Sequence, residues 1–159
     1  MREASSAQIM KKLISGILIL ATVLLAQARE TKTWSYQELY DQADLVVIAR
    51  NLSTQDTTEK AVLPNISPDV PVVGLSSDFD VRVVMKGDKG LKKLVLHHYR
   101  LANPEAGLID GPQLASFDAK RSACFLLFLH RESDGRYSPV SGQTDPALFS
   151  IVKLNGYAK

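Results

Sequence analysis

From Leu45 onward, the apolar residues of this chain fall in short runs with the length and period of β-strands, separated by stretches carrying glycine or proline. Leu45-Val-Val-Ile-Ala49 is apolar throughout, as in a strand covered on both faces. Phe79, Val81, Val83 and Met85 alternate with Asp80, Arg82 and Val84, and the run stops at Lys86-Gly87-Asp88. After Gly90, Leu94, Leu96 and His98 alternate with Val95, His97 and Tyr99. Ala123–Leu129 has the composition of the most buried strand. Asp134-Gly135 is a type I′ hairpin signal joining it to Tyr137–Val140. Ser141–Pro146 has turn chemistry, and Ala147–Leu154 is a last strand or a short helix.

Two stretches break the pattern. Asn51–Ser77 holds Pro64, Pro68 and Pro71 among Ser, Thr, Asp and Asn, and predicts a long loop with at most a short edge strand at Val70–Val73. Ala102–Lys120, with Pro104, Gly107, Gly111 and Pro112, predicts a second loop. One helix is expected, over Tyr36–Gln42. Ser35 accepts from the Glu38 backbone N–H, Glu38 reaches back to Ser35, and Trp34 and Leu39 form the hydrophobic staple. About five strands, one short helix and no βαβ rhythm predict a mostly β fold. It is a small antiparallel OB-like Greek-key barrel with a short N-terminal helix, and an open sandwich is the alternative.

The chain of 159 residues is one domain's worth, and its first residues have the pattern of an export signal. Lys11 and Lys12 precede an apolar run from Leu13 to Leu25, and Ala26-Gln27-Ala28 supplies a small-x-small cleavage site. At about 1.5 Å per residue the run falls short of the ~30 Å hydrocarbon core, so residues 1–28 are expected to leave as a signal peptide rather than stay as an anchor. Met10-Lys11-Lys12 has the form of a natural start, which would make residues 1–9 an over-extension. The mature domain is then 29–159, periplasmic or extracellular, with no stable membrane insertion after cleavage. Cleavage takes Arg2, Lys11 and Lys12 from the 19 basic residues and Glu3 from the 17 acidic ones, leaving no net charge. A neutral domain has no global field to draw it onto nucleic acid.

Cys124 is the only cysteine, so no intramolecular disulfide forms, and inside an apolar run it acts as a small hydrophobe. His97-His98-Tyr99-Arg100 is the most unusual cluster. Strand alternation sends His97 and His98 to opposite faces, so the pair cannot chelate one metal; a metal site would need His130, the remaining histidine, and a carboxylate. The Leu94–Leu96 side is the more apolar, so His98 is expected to point inward and His97 outward. Ser141, His98 and Asp145 make a hydrolytic triad on paper, but no Gly-x-Ser-x-Gly elbow surrounds any serine. The competing reading of Ser141–Pro146 is a turn whose Asp and Thr bond local backbone. Tyr99, Arg100, Gln143 and Asp145 are the candidate binding residues, and no cofactor motif is present.

Ser35–Arg50, with a short helix, Ala43-Asp44 and an apolar strand, resembles the opening of the tissue inhibitors of metalloproteinases and netrin-like modules. Phe79-x-Val81-x-x-Val84-Met85-Lys86-Gly87 looks like their second strand and turn. Cys124–Leu129 followed by Asp134-Gly135-Arg136-Tyr137 is similar to a later strand and hairpin. The resemblance implies an OB-like barrel. It does not extend to the family's zinc chelation through an N-terminal cysteine, because the expected mature terminus is Arg29 and the disulfides are absent. The expected function is an exported, non-catalytic binding or inhibitory module for a protein or envelope component. Its contacts would come from the loops of one rim, Asn51–Ser77 and Ala102–Lys120. The alternative is an exported metal-dependent or hydrolytic enzyme using His97, His98 and His130.

Overall fold

The computed structural model describes residues 32–63, 69–106, 113–121 and 123–154. The expected signal peptide at 1–28, Pro64 and Pro68 lie outside them. Helix α1 spans Tyr36–Gln42. Ser35 caps it: its Oγ accepts from the Glu38 N–H at 3.2 Å, while Ser35 N–H donates to Glu38 Oε2 at 2.8 Å. Leu39, the buried residue of α1, packs with Trp34, Ala43, Val46, Phe128 and Val140. Capping fixes where the helix starts, and this small cluster fixes which way it faces.

Six strands follow: β1 (Leu45–Val62), β2 (Pro71–Lys86), β3 (Lys93–Leu101), β4 (Cys124–Arg131), β5 (Tyr137–Pro139) and β6 (Ile151–Leu154). They pair in the order β1-β2-β3-β5-β4, and β4 returns to β1, so five strands close a ring. β5 and β6 share the far edge of β4. All pairings are antiparallel except β3–β5, which meet in parallel at Leu96 and Tyr137. This is the connectivity of an OB-like barrel. Leu45, Val47 and Ala49 of β1 point into the ring with Phe79, Leu94, Leu96, Phe125, Leu127 and Leu129. Val46 points the other way, under α1. A helix on one side and the core on the other explain why Leu45–Ala49 carries no polar residue.

The expected loop over Asn51–Ser77 is instead strand at both ends. β1 runs on to Val62, β2 begins at Pro71, and Leu63 N–H donates to Val70 O at 3.0 Å. Proline is tolerated as the first residue of a strand. The polar residues that suggest a loop bond across the strands: Thr54 Oγ1 to Ser77 Oγ at 2.6 Å, Ser53 Oγ to Asp78 Oδ2 at 2.7 Å, and Thr57 Oγ1 to Gly74 O at 3.0 Å. Register shifts at Asn51/Ser53 and Asp56/Lys60 bend this pair of strands. Gly74 permits the close approach, since a Cβ there would lie 2.7 Å from Thr57 Oγ1 and 2.9 Å from Glu59 Cβ.

Ala102–Lys120 has no strand among its described residues, only 3-10 turns at Pro104–Ala106 and Ala119–Arg121. The β4–β5 hairpin is present, but its turn is not type I′. Gly135 has φ +89 and Asp134 does not have positive φ, while Gly135 N–H donates to Glu132 O at 3.1 Å. That is a type I turn closed by a left-handed glycine. Of the last segment, only Ile151–Leu154 is strand. Among the described residues no helix is long and apolar enough to cross a membrane.

Removing the cap tests the start of the fold. Ser35→Ala is expected to cost about 1 kcal/mol in urea unfolding with an unchanged circular dichroism spectrum. Coincident midpoints for the variant and its parent would show that Ser35 does not cap α1.

Candidate functional site

Strand alternation on β3 turns Leu94, Leu96 and His98 inward, opposite Phe79, Ser77 and Leu75 of β2. His98 is 1% exposed. Its Nδ1 lies 3.1 Å from Ala115 O, and its Nε2 lies 2.8 Å from Ser77 Oγ. A carbonyl only accepts, so Nδ1 carries the hydrogen and Nε2 takes the Ser77 hydroxyl proton. Ser77 in turn accepts from Thr54, which completes a relay from β1 through β2 to β3 and on to the segment after β3. Burial, opposed by the Ala115 hydrogen bond and reinforced by the nearby His97, lowers the His98 pKa to about 4. The ring is therefore neutral at neutral pH, with its edge contact to Phe117 at 5.1 Å between centroids.

Beside this relay lies a cleft of about 500 Å³. Its inner wall is Thr54, Leu75 and the β3 run His98–Leu101; its outer wall is Pro104 and Gln113–Phe117. Leu75 and Ala115 are buried at the floor, while Gln113 and Ser116 are exposed at the rim. Arg100 stands at the edge with both charged ends engaged. Its Nε donates to Asp56 Oδ1 at 3.0 Å, its Nη2 to Asp56 Oδ2, and its Nη1 to Leu101 O at 2.9 Å.

His97 faces the opposite side of β3 from His98, as expected, but that face is covered too and His97 is only 6% exposed. β1 is longer than expected and brings Glu59 over the ring, and the β4–β5 hairpin brings Glu132. Glu132 Oε1 and Oε2 each lie 3.0 Å from His97 Nδ1. Glu59 Oε2 lies 3.1 Å from Nε2 without making a hydrogen bond to it. Tyr99 donates to Glu59. Burial, reinforced by that hydrogen bond, pushes Tyr99 up to about 12. Arg136 approaches Glu59 at 3.8 Å and Glu132 at 3.7 Å while bonding Asp134 at 2.7 Å. The ensemble ties the β1–β2 arm to the β4–β5 hairpin.

The three histidines do not converge. His130 is half exposed, 3.5 Å from Asp44 Oδ2, while His97 faces glutamates and His98 faces Ser77. No group of three or more His, Cys, Asp or Glu among the described residues is arranged to hold a metal ion. The paper triad is likewise not assembled. Ser141 exchanges hydrogen bonds with Ser150, and Asp145 accepts from Ala147 and Phe149 N–H at 3.0 and 2.7 Å. Gln143 donates to His97 O at 2.8 Å, and so supports β3. Of the candidate binding residues, Tyr99 and Arg100 line the cleft, whereas Gln143 and Asp145 do not. Sequence reasoning missed Thr54, Ser77, Glu59, Glu132 and Arg136. One signal was present: Leu75 and Ser77 continue the alternation of Phe79 and Val81 backward. No protein-family model matches the chain, and no curated protein is significantly similar to it.

The buried neutral imidazole makes stability depend on pH. Above pH 6.5 the folded and unfolded rings are both neutral, and the stabilisation is fully present. Below it the unfolded ring binds a proton that the folded ring refuses until about pH 4, so stability falls through that window. Between pH 7 and pH 5 the loss from this ring is about 2 kcal/mol. Urea unfolding of the parent and of His98→Gln at both pH values should show the parent losing more. Equal losses would contradict a neutral buried His98.

Proposed function

We propose that this chain is an exported, non-catalytic binding module whose contact site is the cleft between β3 and Gln113–Phe117. One observation carries the reading. Residues from Asn51–Ser77 and Ala102–Lys120, the segments expected to supply contacts, line one cleft together with His98–Leu101 of β3. Thr54 and Leu75 come from the first, and Pro104 with Gln113–Phe117 from the second. An apolar concavity of this size with a few fixed polar groups is the usual form of a binding site.

Export rests on the charged, apolar and small-residue pattern of residues 11–28. A likeness to netrin-like modules is consistent with the ring order of the strands. An inhibitory role by that family's zinc-chelating route has no cysteine to work through near Arg29. The enzymatic alternative through His97, His98 and His130 has no shared centre, because the three rings face different partners.

A fragment screen read by amide chemical shifts tests the reading. Shifts from binding fragments should gather at Thr54, Leu75, Tyr99–Leu101 and Gln113–Phe117. Fragments that gather instead at the second concavity, by Leu52, Lys93 and Tyr137, would overturn it.

A further inference from the structure

We infer that the cleft takes a small, uncharged and largely apolar molecule; the inference rests on the cleft being the binding site. The first ground is charge. Every ionisable group among the described lining residues is neutral or paired. The Arg100 guanidinium is held by both oxygens of Asp56, and the relay from Thr54 through Ser77 fixes the other end of the site around a neutral imidazole. Tyr99 keeps its proton, engaged with Glu59. Among these residues an anionic ligand would find no free cation, and a cationic one no free carboxylate.

The second ground is that the polar wall is already satisfied. Both His98 nitrogens, the Ser77 hydroxyl and the Thr54 hydroxyl bond one another or Ala115 O, so the ligand need not supply partners for them. Apart from Gln113 and Ser116 at the rim, what the cleft leaves open is mainly apolar: Leu75, Leu101, Leu114 and Phe117. The third ground is shape. The exposed large apolar side chains among the described residues are Tyr36, Tyr40, Leu52, Val62, Val83 and Met85, and none lines the cleft. Its leucines and Phe117 are buried or half-buried, and the exposed lining residues are Thr54, Pro104, Gln113 and Ser116. A volume of about 500 Å³ suits a molecule of one to three rings.

Two dyes that share a skeleton and differ by one charge test this. N-phenyl-1-naphthylamine is uncharged, and 1-anilinonaphthalene-8-sulfonate is the same molecule with a sulfonate. The uncharged dye should bind saturably, one to one, and more tightly than the sulfonate. Asp56→Asn, on an exposed carboxylate, unpairs Arg100 and should raise sulfonate affinity about fivefold while leaving the uncharged dye unchanged. Leu114→Glu, with its melting curve confirming the fold, should abolish binding of the uncharged dye.

A sulfonate that binds the parent as tightly as the uncharged dye, or an Asp56→Asn variant that shifts both dyes equally, overturns the inference. Sulfonate binding that depends on Leu114 would keep the cleft as the binding site and reassign its ligand as an anion. Binding insensitive to Leu114→Glu would remove the cleft from the account altogether. If neither dye binds, the small-molecule inference falls, and the fragment shifts decide whether the cleft instead takes an apolar side chain of a protein partner.

Discussion

Closure of the barrel depends on six residues of β1, Leu45–Arg50, which pair with β4 on one edge and, from Val46 on, with β2 on the other. Without the β4 contact the sheet would be an open ribbon with two free edges, a form of marginal stability on its own. The same six residues separate the two apolar clusters. Leu45, Val47 and Ala49 enter the core, and Val46 sits beneath α1 with Leu39 and Phe128. Each Leu or Val buried there contributes on the order of 2 kcal/mol, so this short stretch supplies a large share of a domain's net stability. The capping box at Ser35 serves the same end, since it sets where α1 lies over Val46.

Beyond Arg50, β1 parts from β4 and continues with β2 alone as far as Val62. Two features of the molecule lie along this arm, one on each side. On the inner side of the arm, the seam between the segment Gln113–Phe117 and β3 is the cleft. His98 closes the seam at depth by bonding Ser77 on one side and Ala115 on the other. On the outer side, the arm brings Glu59 within reach of His97, Tyr99 and Arg136. Charges on this free edge and its bulges also discourage pairing with a second chain. The arm is thus held on both faces by side chains rather than by a further strand.

Much of the barrel was legible because burial leaves a period in the sequence. The α1 cap, the two-sided strand at Leu45, the β3 alternation and the Cys124 strand all follow local rules that the tertiary structure does not override. The arm was hidden because its stabilisation is not local. Thr54 and Ser77, or Ser53 and Asp78, look like loop residues until the strands are aligned and their hydroxyls meet. The inward turn of His98 followed from alternation, but the burial of His97 depended on Glu59 and Glu132, each more than thirty residues away. The cleft follows the same division. The segments that form it could be named, whereas the pairing of Arg100 with Asp56, which sets its charge, could not.

Native-state hydrogen exchange measures the dependence on β1 most directly. If Leu45–Arg50 closes the barrel, its amides exchange only through global unfolding, with the same denaturant dependence as the β4 amides of Phe125–Leu129. Amides of the arm, Thr54–Glu59, exchange through a smaller, local opening. Leu45–Arg50 exchanging by local opening while the arm stays protected would contradict the account, because the barrel would then be held closed by something other than β1.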